Sequence, residues 1–225
     1  MIRPLLATIL LLASPVWADA FDCAGAKSLS NPAASLAKVQ EVYRAVQGLS
    51  AKFSQSSFLA ALEVSETSSG DVFFAPPGKM KWHYKTPEEQ LFTIADQSLW
   101  LYQPLDNQVV VEKLSNVLLS ELPVAFLLGV GDLSRDFKID SSCTGSKGFV
   151  FSLSPKMAST DDGLNSVKLL VDSKSFLPMG AKIIDVAQNE TTILLSEINT
   201  STQIQAKTFE TKFPKGTDVD DRRVG

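Results

Sequence analysis

Between Gly70 and Pro104 the apolar positions of the chain recur with a period of two: GDVFFAPPGKMKWHYKTPEEQLFTIADQSLWLYQP. Val72 and Phe74 fall on one face, and Met80, Trp82 and Tyr84 fall on one face after the next turn. That period predicts half-buried strands. Pro77-Gly78 suits a type II turn, because proline fixes φ at the second position and glycine accepts positive φ at the third. Thr86-Pro87 and Asp96-Gln97 interrupt the later runs, and Leu99, Trp100, Leu101 and Tyr102 form a solid apolar strand ended by Pro104. Three or four consecutive antiparallel strands are expected. So aromatic a series must cover a large apolar volume, filled either by a core or by a ligand.

The flanking segments follow the same logic. Asn31-Pro32 opens a helix, a capping side chain followed by proline in the first turn. Leu36, Val39, Tyr43 and Val46 mark its apolar stripe, and Gly48 ends it. The stripe is expected to lie on the concave face of the sheet. Ala51 to Leu59 reads as a strand containing Phe53, and Leu62 to Thr67 as another, with Ser68-Ser69-Gly70 turning into the central hairpins. After a turn at Leu105-Asp106-Asn107, Val109 to Val111 is a strand. Pro123 splits SNVLLSELPVAFLLG, Ser115 to Gly129, into two short helical pieces. Their apolar residues suit either buried core helices or a lid that opens, and periodicity does not choose. Strands are expected again over Phe137–Ile139, Gly148–Leu153, Asn165–Val171, Pro178–Val186, Thr191–Ile198 and Ile204–Phe209. Asp161-Asp162-Gly163 and Asp172-Ser173 are turn material. The tail after Phe213 is polar.

The first residues have another character. Arg3, the apolar run Leu5 to Ala13, Pro15 and Val16-Trp17-Ala18 form a secretory signal over residues 1–18, with cleavage after Ala18 or Ala20. A buried first helix is the plainer alternative. Asp22 before Cys23 does not suit lipidation, so a soluble product is expected. About 205 residues remain, enough for one domain, 19–225, with no linker or internal repeat. Net charge is −4 with no basic stripe, which argues against nucleic-acid binding. Cys23 and Cys143 are the two cysteines. In an exported chain they are expected to form a disulfide, with two free thiols as the alternative.

Candidate chemistry is sparse. His83 is the single histidine and alternates with Trp82 and Tyr84, which puts it on the solvated face. There is no G-x-S-x-G elbow, no catalytic-cysteine signature, no glycine-rich phosphate loop and no second histidine for zinc. No cofactor, metal or catalysis is expected. The pairs Glu88-Glu89, Asp161-Asp162 and Asp220-Asp221 read as solvated surface, and the sequons at Asn189 and Asn199 count for little.

Gly70-Asp71, Pro77-Gly78-x-x-x-Trp82, Pro87, Asp96, Leu99-Trp100-x-Tyr102-x-Pro104, Gln108-Val109, Pro123 and Phe209-x-x-x-Phe213-Pro-x-Gly216-x-Asp218-Val219 occur in one colinear series. That series resembles the periplasmic lipoprotein carrier family of the LolA type, over nearly the whole chain after the signal. The resemblance implies a mainly β fold with a few α-helices, an unclosed antiparallel β-barrel (a half-barrel) covered on its concave face by lid helices. It implies a monomeric periplasmic chaperone, not an enzyme, that binds acyl chains of lipoproteins and carries them from inner to outer membrane. Its partners would be acylated lipoproteins, an inner-membrane ABC-type lipoprotein release complex and an outer-membrane acceptor lipoprotein. The acyl cavity and lid would use Phe53, Val72, Phe74, Met80, Trp82, Tyr84, Leu99, Trp100, Leu118, Leu122, Phe126 and Leu127. The pattern leaves open the faces of Trp100 and of Leu91 to Ile94. Pro76 stands where family members often have a lid-latching arginine, and Met80 where they often have phenylalanine. Rival readings are a lipid- or lipoprotein-sensing regulator, a carrier of another acylated lipid on the same half-barrel, and a lipid esterase.

Overall fold

The computed structural model describes residues 20–75, 78–114, 132–156, 163–201 and 203–223. The signal segment lies outside them, as do Pro76, Pro77, the Asp161-Asp162 pair and the stretch 115–131 with Leu118, Leu122, Phe126 and Leu127. The described chain folds as one long helix, α1 (Pro32–Ala45), and a one-turn helix against one sheet of twelve strands. The strands are β1 (Leu49–Leu59), β2 (Val64–Ala75), β3 (Lys79–Thr86), β4 (Gln90–Ala95), β5 (Ser98–Gln103), β6 (Gln108–Lys113), β7 (Phe137–Thr144), β8 (Phe149–Pro155), β9 (Leu164–Val171), β10 (Pro178–Asp185), β11 (Glu190–Asn199) and β12 (Asp218–Asp221). Their order is β12-β6-β5-β4-β3-β2-β1-β11-β10-β9-β8-β7, so among the described residues β12 and β7 are the edge strands and the barrel is unclosed. All neighbours are antiparallel except β12 on β6. A one-turn helix, α2 (Leu133–Asp136), precedes β7.

α1 begins as its sequence requires. The Asn31 side chain accepts from the Ala34 N–H at 3.2 Å, and Pro32 occupies the first turn. Its apolar stripe then divides between two clusters on one face of the sheet, here called the inner face. Leu36 and Val39 pack with Leu133, Phe151, Leu153, Leu169 and Val171. Tyr43 and Val46 pack with Phe53, Phe74 and Trp82. The helix is thus a strut between the two halves of the sheet.

The outer face is covered by the two ends of the described chain. Ala20, Phe21 and Cys23 pack on Val150 and Leu170, and a disulfide joins Cys23 to Cys143 with their Cα atoms 5.8 Å apart. At the other side, Phe213 reaches Trp100 and Tyr102, and Phe209 is buried beside β3 and β4. The strand expected at Ile204–Phe209 is instead a 3-10 turn over Ala206–Phe209. One buried anchor, Phe209, needs only one turn, and the Thr208 N–H finds its partner in the Gln205 carbonyl at 2.9 Å.

Two further expectations are corrected. Ser68-Ser69-Gly70 is not a turn but the middle of β2, paired with Gln55, Ser54 and Phe53 of β1. Gly70 is needed there for close approach: a Cβ would lie 1.9 Å from the His83 carbonyl oxygen and 3.0 Å from the Phe53 ring. The β2–β3 register slips between Ser69 and Gly70, the mark of a bulge. The polar tail also contains a strand, β12, aligned with Gln108–Val111 and capped by Arg222–Asp220 and Arg223–Asp221 ion pairs.

Candidate functional site: an apolar trough on the inner face

Strand register orders the inner face into rows. The first row runs Leu49, Phe74, Met80, Ile94, Leu99 across β1 to β5. The second runs Ala51, Val72, Trp82, Phe92, Leu101. The third runs Leu195, Phe53, Gly70, Tyr84, Gln90. No charged side chain occurs in these three rows. Lys52, Asp71, Lys81 and His83 occupy the alternate positions and therefore point to the outer face. Burial alone pulls the Lys81 pKa below its usual value.

Aromatic rings hold the rows together. Phe53 meets Trp82 edge-on at 4.5 Å and Tyr84 at 4.8 Å, over the gap that Gly70 leaves. Phe92 lies 5.8 Å from Tyr84, and Tyr43 of α1 stacks on Phe74 at 5.4 Å. Such pairs add about 0.5–1.5 kcal/mol each beyond their burial. The indole N–H of Trp82 donates to Met80 Sδ at 2.9 Å. The Tyr84 hydroxyl donates to Gln55 Oε1 at 3.0 Å. Burial pushes the Tyr84 pKa up to about 12 and raises that of Tyr43 as well.

Phe53, Val72, Phe74, Met80, Trp82 and Leu99 therefore share one buried apolar cluster, with Tyr84 partly buried against it. Trp100 does not. It pairs with Val111 and Thr93, one position out of phase with Leu99, and lies on the outer face between Phe213 at 5.9 Å and the Arg223 guanidinium at 5.1 Å. Phe92 and Ile94 join the inner face, which fixes the phase of Leu91 to Ile94 that the sequence leaves open. Ile193 and Leu195 of β11 also belong to it, and no local motif marks them. His83 faces outward, its Nε2 2.7 Å from Glu89 Oε1. Among the described residues no group of three or more His, Cys, Asp or Glu is placed to hold a metal ion, and no helix is long and apolar enough to cross a membrane.

With this geometry in place, the comparisons are specific. The family model described as outer membrane lipoprotein carrier protein LolA matches residues 44–212. The outer-membrane lipoprotein carrier protein of Cupriavidus pinatubonensis is 30% identical over 190 residues, 83% of this chain and 87% of that protein. The protein of the same name from Legionella pneumophila is 31% identical over 182 residues, 80% of this chain and 87% of the relative. A crystal structure of an uncharacterized conserved protein from Thermus thermophilus superposes with a TM-score of 0.56 at 15% identity, over 84% of this chain and 98% of that one. It supports the fold alone. An open antiparallel half-barrel with an apolar inner face, matched in sequence along three quarters of its length, defines the class. The chain belongs to the LolA family of outer membrane lipoprotein carrier proteins.

Proposed function

We propose that the inner face is the seat of lipoprotein acyl chains and that the protein carries lipoproteins through the periplasm from the inner to the outer membrane. The observation that carries this reading is the trough from Leu49 to Tyr84: three uncharged rows, apolar and aromatic throughout except for Gln90 at the end of the third. Each buried CH₂ is worth about 0.8 kcal/mol, so a long acyl chain left in water costs on the order of 10 kcal/mol. An apolar surface without a hydrogen-bond code in its deep rows accepts acyl chains regardless of the protein they anchor. Binding and release of this kind require no covalent chemistry, and the protein acts as a chaperone and not as an enzyme. Loading is driven by an inner-membrane ABC-type release complex, and cargo passes to an outer-membrane acceptor lipoprotein. The test is to isolate the protein from periplasm and identify copurified molecules by mass spectrometry. Acylated lipoproteins are the expected finding. Phospholipid or glycolipid in their place, or hydrolysis of acyl esters by the pure protein, would overturn the reading.

A further inference from the structure

The trough does not stay apolar along its length. Beyond Phe53 and Tyr84 the next inner-face row is Ile193, Gln55 and Ser68, and the row after it is Thr191, Ser57 and Glu66. Polarity enters at this end of the trough, at the Tyr84 hydroxyl and Gln90 in the third row and at Gln55 in the next. Tyr84 and Gln55 are half-buried and joined: Tyr84 donates to Gln55 Oε1 at 3.0 Å, and Gln55 Nε2 donates to Ser57 Oγ at 3.1 Å. The second Nε2 hydrogen of Gln55 has no partner among the described residues. That donor capacity is therefore open.

We infer that Gln55 and Tyr84 form a subsite for the ester and amide carbonyls that join acyl chains to their cargo. The inference rests on the carrier reading above. The deep rows offer such carbonyls nothing, since the indole N–H of Trp82 is committed to Met80. A carbonyl drawn deeper than Tyr84 would lose its water without gaining a donor. From Leu49 to Gln55 is six residues along β1, about 20 Å at roughly 3.3 Å per residue. That length suits one extended long acyl chain ending at Gln55. The subsite also selects. Glu66, exposed in the following row, repels a free carboxylate or phosphate, whereas an ester or amide is neutral. Tyr84 stays protonated at neutral pH and cannot repel either one. The polar pair thus sets how deep a chain inserts and favours neutral linkages over anionic lipids.

The experiment compares three ligands displacing a fluorescent hydrophobic probe: a diacylglyceryl-cysteine peptide, its dialkyl ether counterpart of equal hydrocarbon length, and palmitate. Wild type should bind the ester about fivefold to tenfold more tightly than the ether, the worth of one neutral hydrogen bond from the open Gln55 N–H. It should bind palmitate weakest. Gln55→Leu and Tyr84→Phe should each bring ester and ether towards equality, read as the ratio of the two affinities within each variant. The wild-type ratio needs no variant, so misfolding of a variant cannot rescue the idea. Equal ester and ether binding by wild type overturns the subsite and leaves the carrier reading standing. Failure to bind either peptide overturns the carrier reading, and the subsite with it.

Discussion

Trp82 and Met80, two positions apart on β3, are joined by a hydrogen bond from the indole N–H to Sδ at 2.9 Å. Both side chains are buried in the first two rows of the trough. The bond hides a donor that the apolar surface would otherwise carry. Met80→Leu preserves volume, a change that by itself costs less than about 1.5 kcal/mol. It also orphans the indole N–H, so the expected loss is about 1–3 kcal/mol in urea unfolding. With Trp82→Phe as background the same substitution should cost less, because the donor is gone. A double-mutant cycle with a coupling near zero would show that the bond contributes nothing.

The two structural tryptophans should report differently. Trp82 lies in the trough and Trp100 lies under Phe213 and Arg223 on the opposite face. Binding of an acylated peptide should therefore shift tryptophan emission through Trp82. The shift should survive Trp100→Phe and vanish in Trp82→Phe. The reverse pattern would place the ligand on the outer face.

The central hairpins were legible because their apolar residues alternate and their turns carry Pro-Gly and Asp-Gln. Helix α1 was legible from Asn31-Pro32 and a stripe spaced three and four apart. Trp100 was not, for a physical reason. Leu99 to Tyr102 is apolar at every position because both faces of β5 are covered, one by the trough and one by Phe213, so alternation is lost. Ser68-Ser69-Gly70 has turn composition, yet pairing with β1 on one side and β3 on the other holds it extended. Asp218 to Asp221 has poor β propensity and forms a strand only because β6 offers an edge and Arg222 and Arg223 neutralise its carboxylates. The face of Ile193 depends on long-range register, which a single strand's pattern does not carry.

Gly70 gives a sharp test of that pairing. An added Cβ would collide with backbone, the His83 carbonyl at 1.9 Å, and not with a side chain that can swing away. Gly70→Ala should therefore cost about 2–4 kcal/mol, in the range of substitutions that strain backbone, although alanine is otherwise the better strand residue. Because the collision lies between Phe53 and Tyr84, acyl-peptide affinity should fall with stability. A melting temperature equal to wild type would mean that β2 and β3 separate more freely than their register implies.

The disulfide joins the covering segment at Cys23 to β7 at Cys143 across 120 residues of sequence. Lys27 and Ser28 continue the attachment, the Lys27 carbonyl accepting from the Thr144 N–H at 2.9 Å. A bridge closing so long a loop should stabilise by about 2–4 kcal/mol, chiefly by restricting the unfolded chain. Replacing both cysteines by alanine should lower the denaturation midpoint accordingly, and a reductant should lower wild type to the same value. Thiol titration of the denatured, unreduced wild type should find none. Two reactive thiols there would overturn the bridge.

Stability should depend on pH at both extremes, for opposite reasons. Asp172 accepts from the Ser175 and Lys174 N–H groups and from the Ser175 hydroxyl, and these bonds hold its carboxyl below the ordinary range. The Arg223 guanidinium holds Asp221 down to about 2. A carboxylate with a depressed folded pKa contributes stability above its unfolded value, near about 4, and loses it as pH falls through the folded value. Melting temperature should therefore hold from neutrality to about pH 4 and decline towards about pH 2. Asp172→Asn should make that decline shallower. Tyr84 has the opposite sign. Burial raises its pKa to about 12, so its contribution is complete below the ordinary tyrosine value of about 10 and is lost as pH rises through 12. Tyrosinate absorbance should show late titration by two buried tyrosines, Tyr43 and Tyr84, and Tyr84→Phe should remove one tyrosine's share of it. If all tyrosine absorbance changed near pH 10 while the fold persisted, Tyr84 would be open to water and the aromatic end of the trough would not be closed around it.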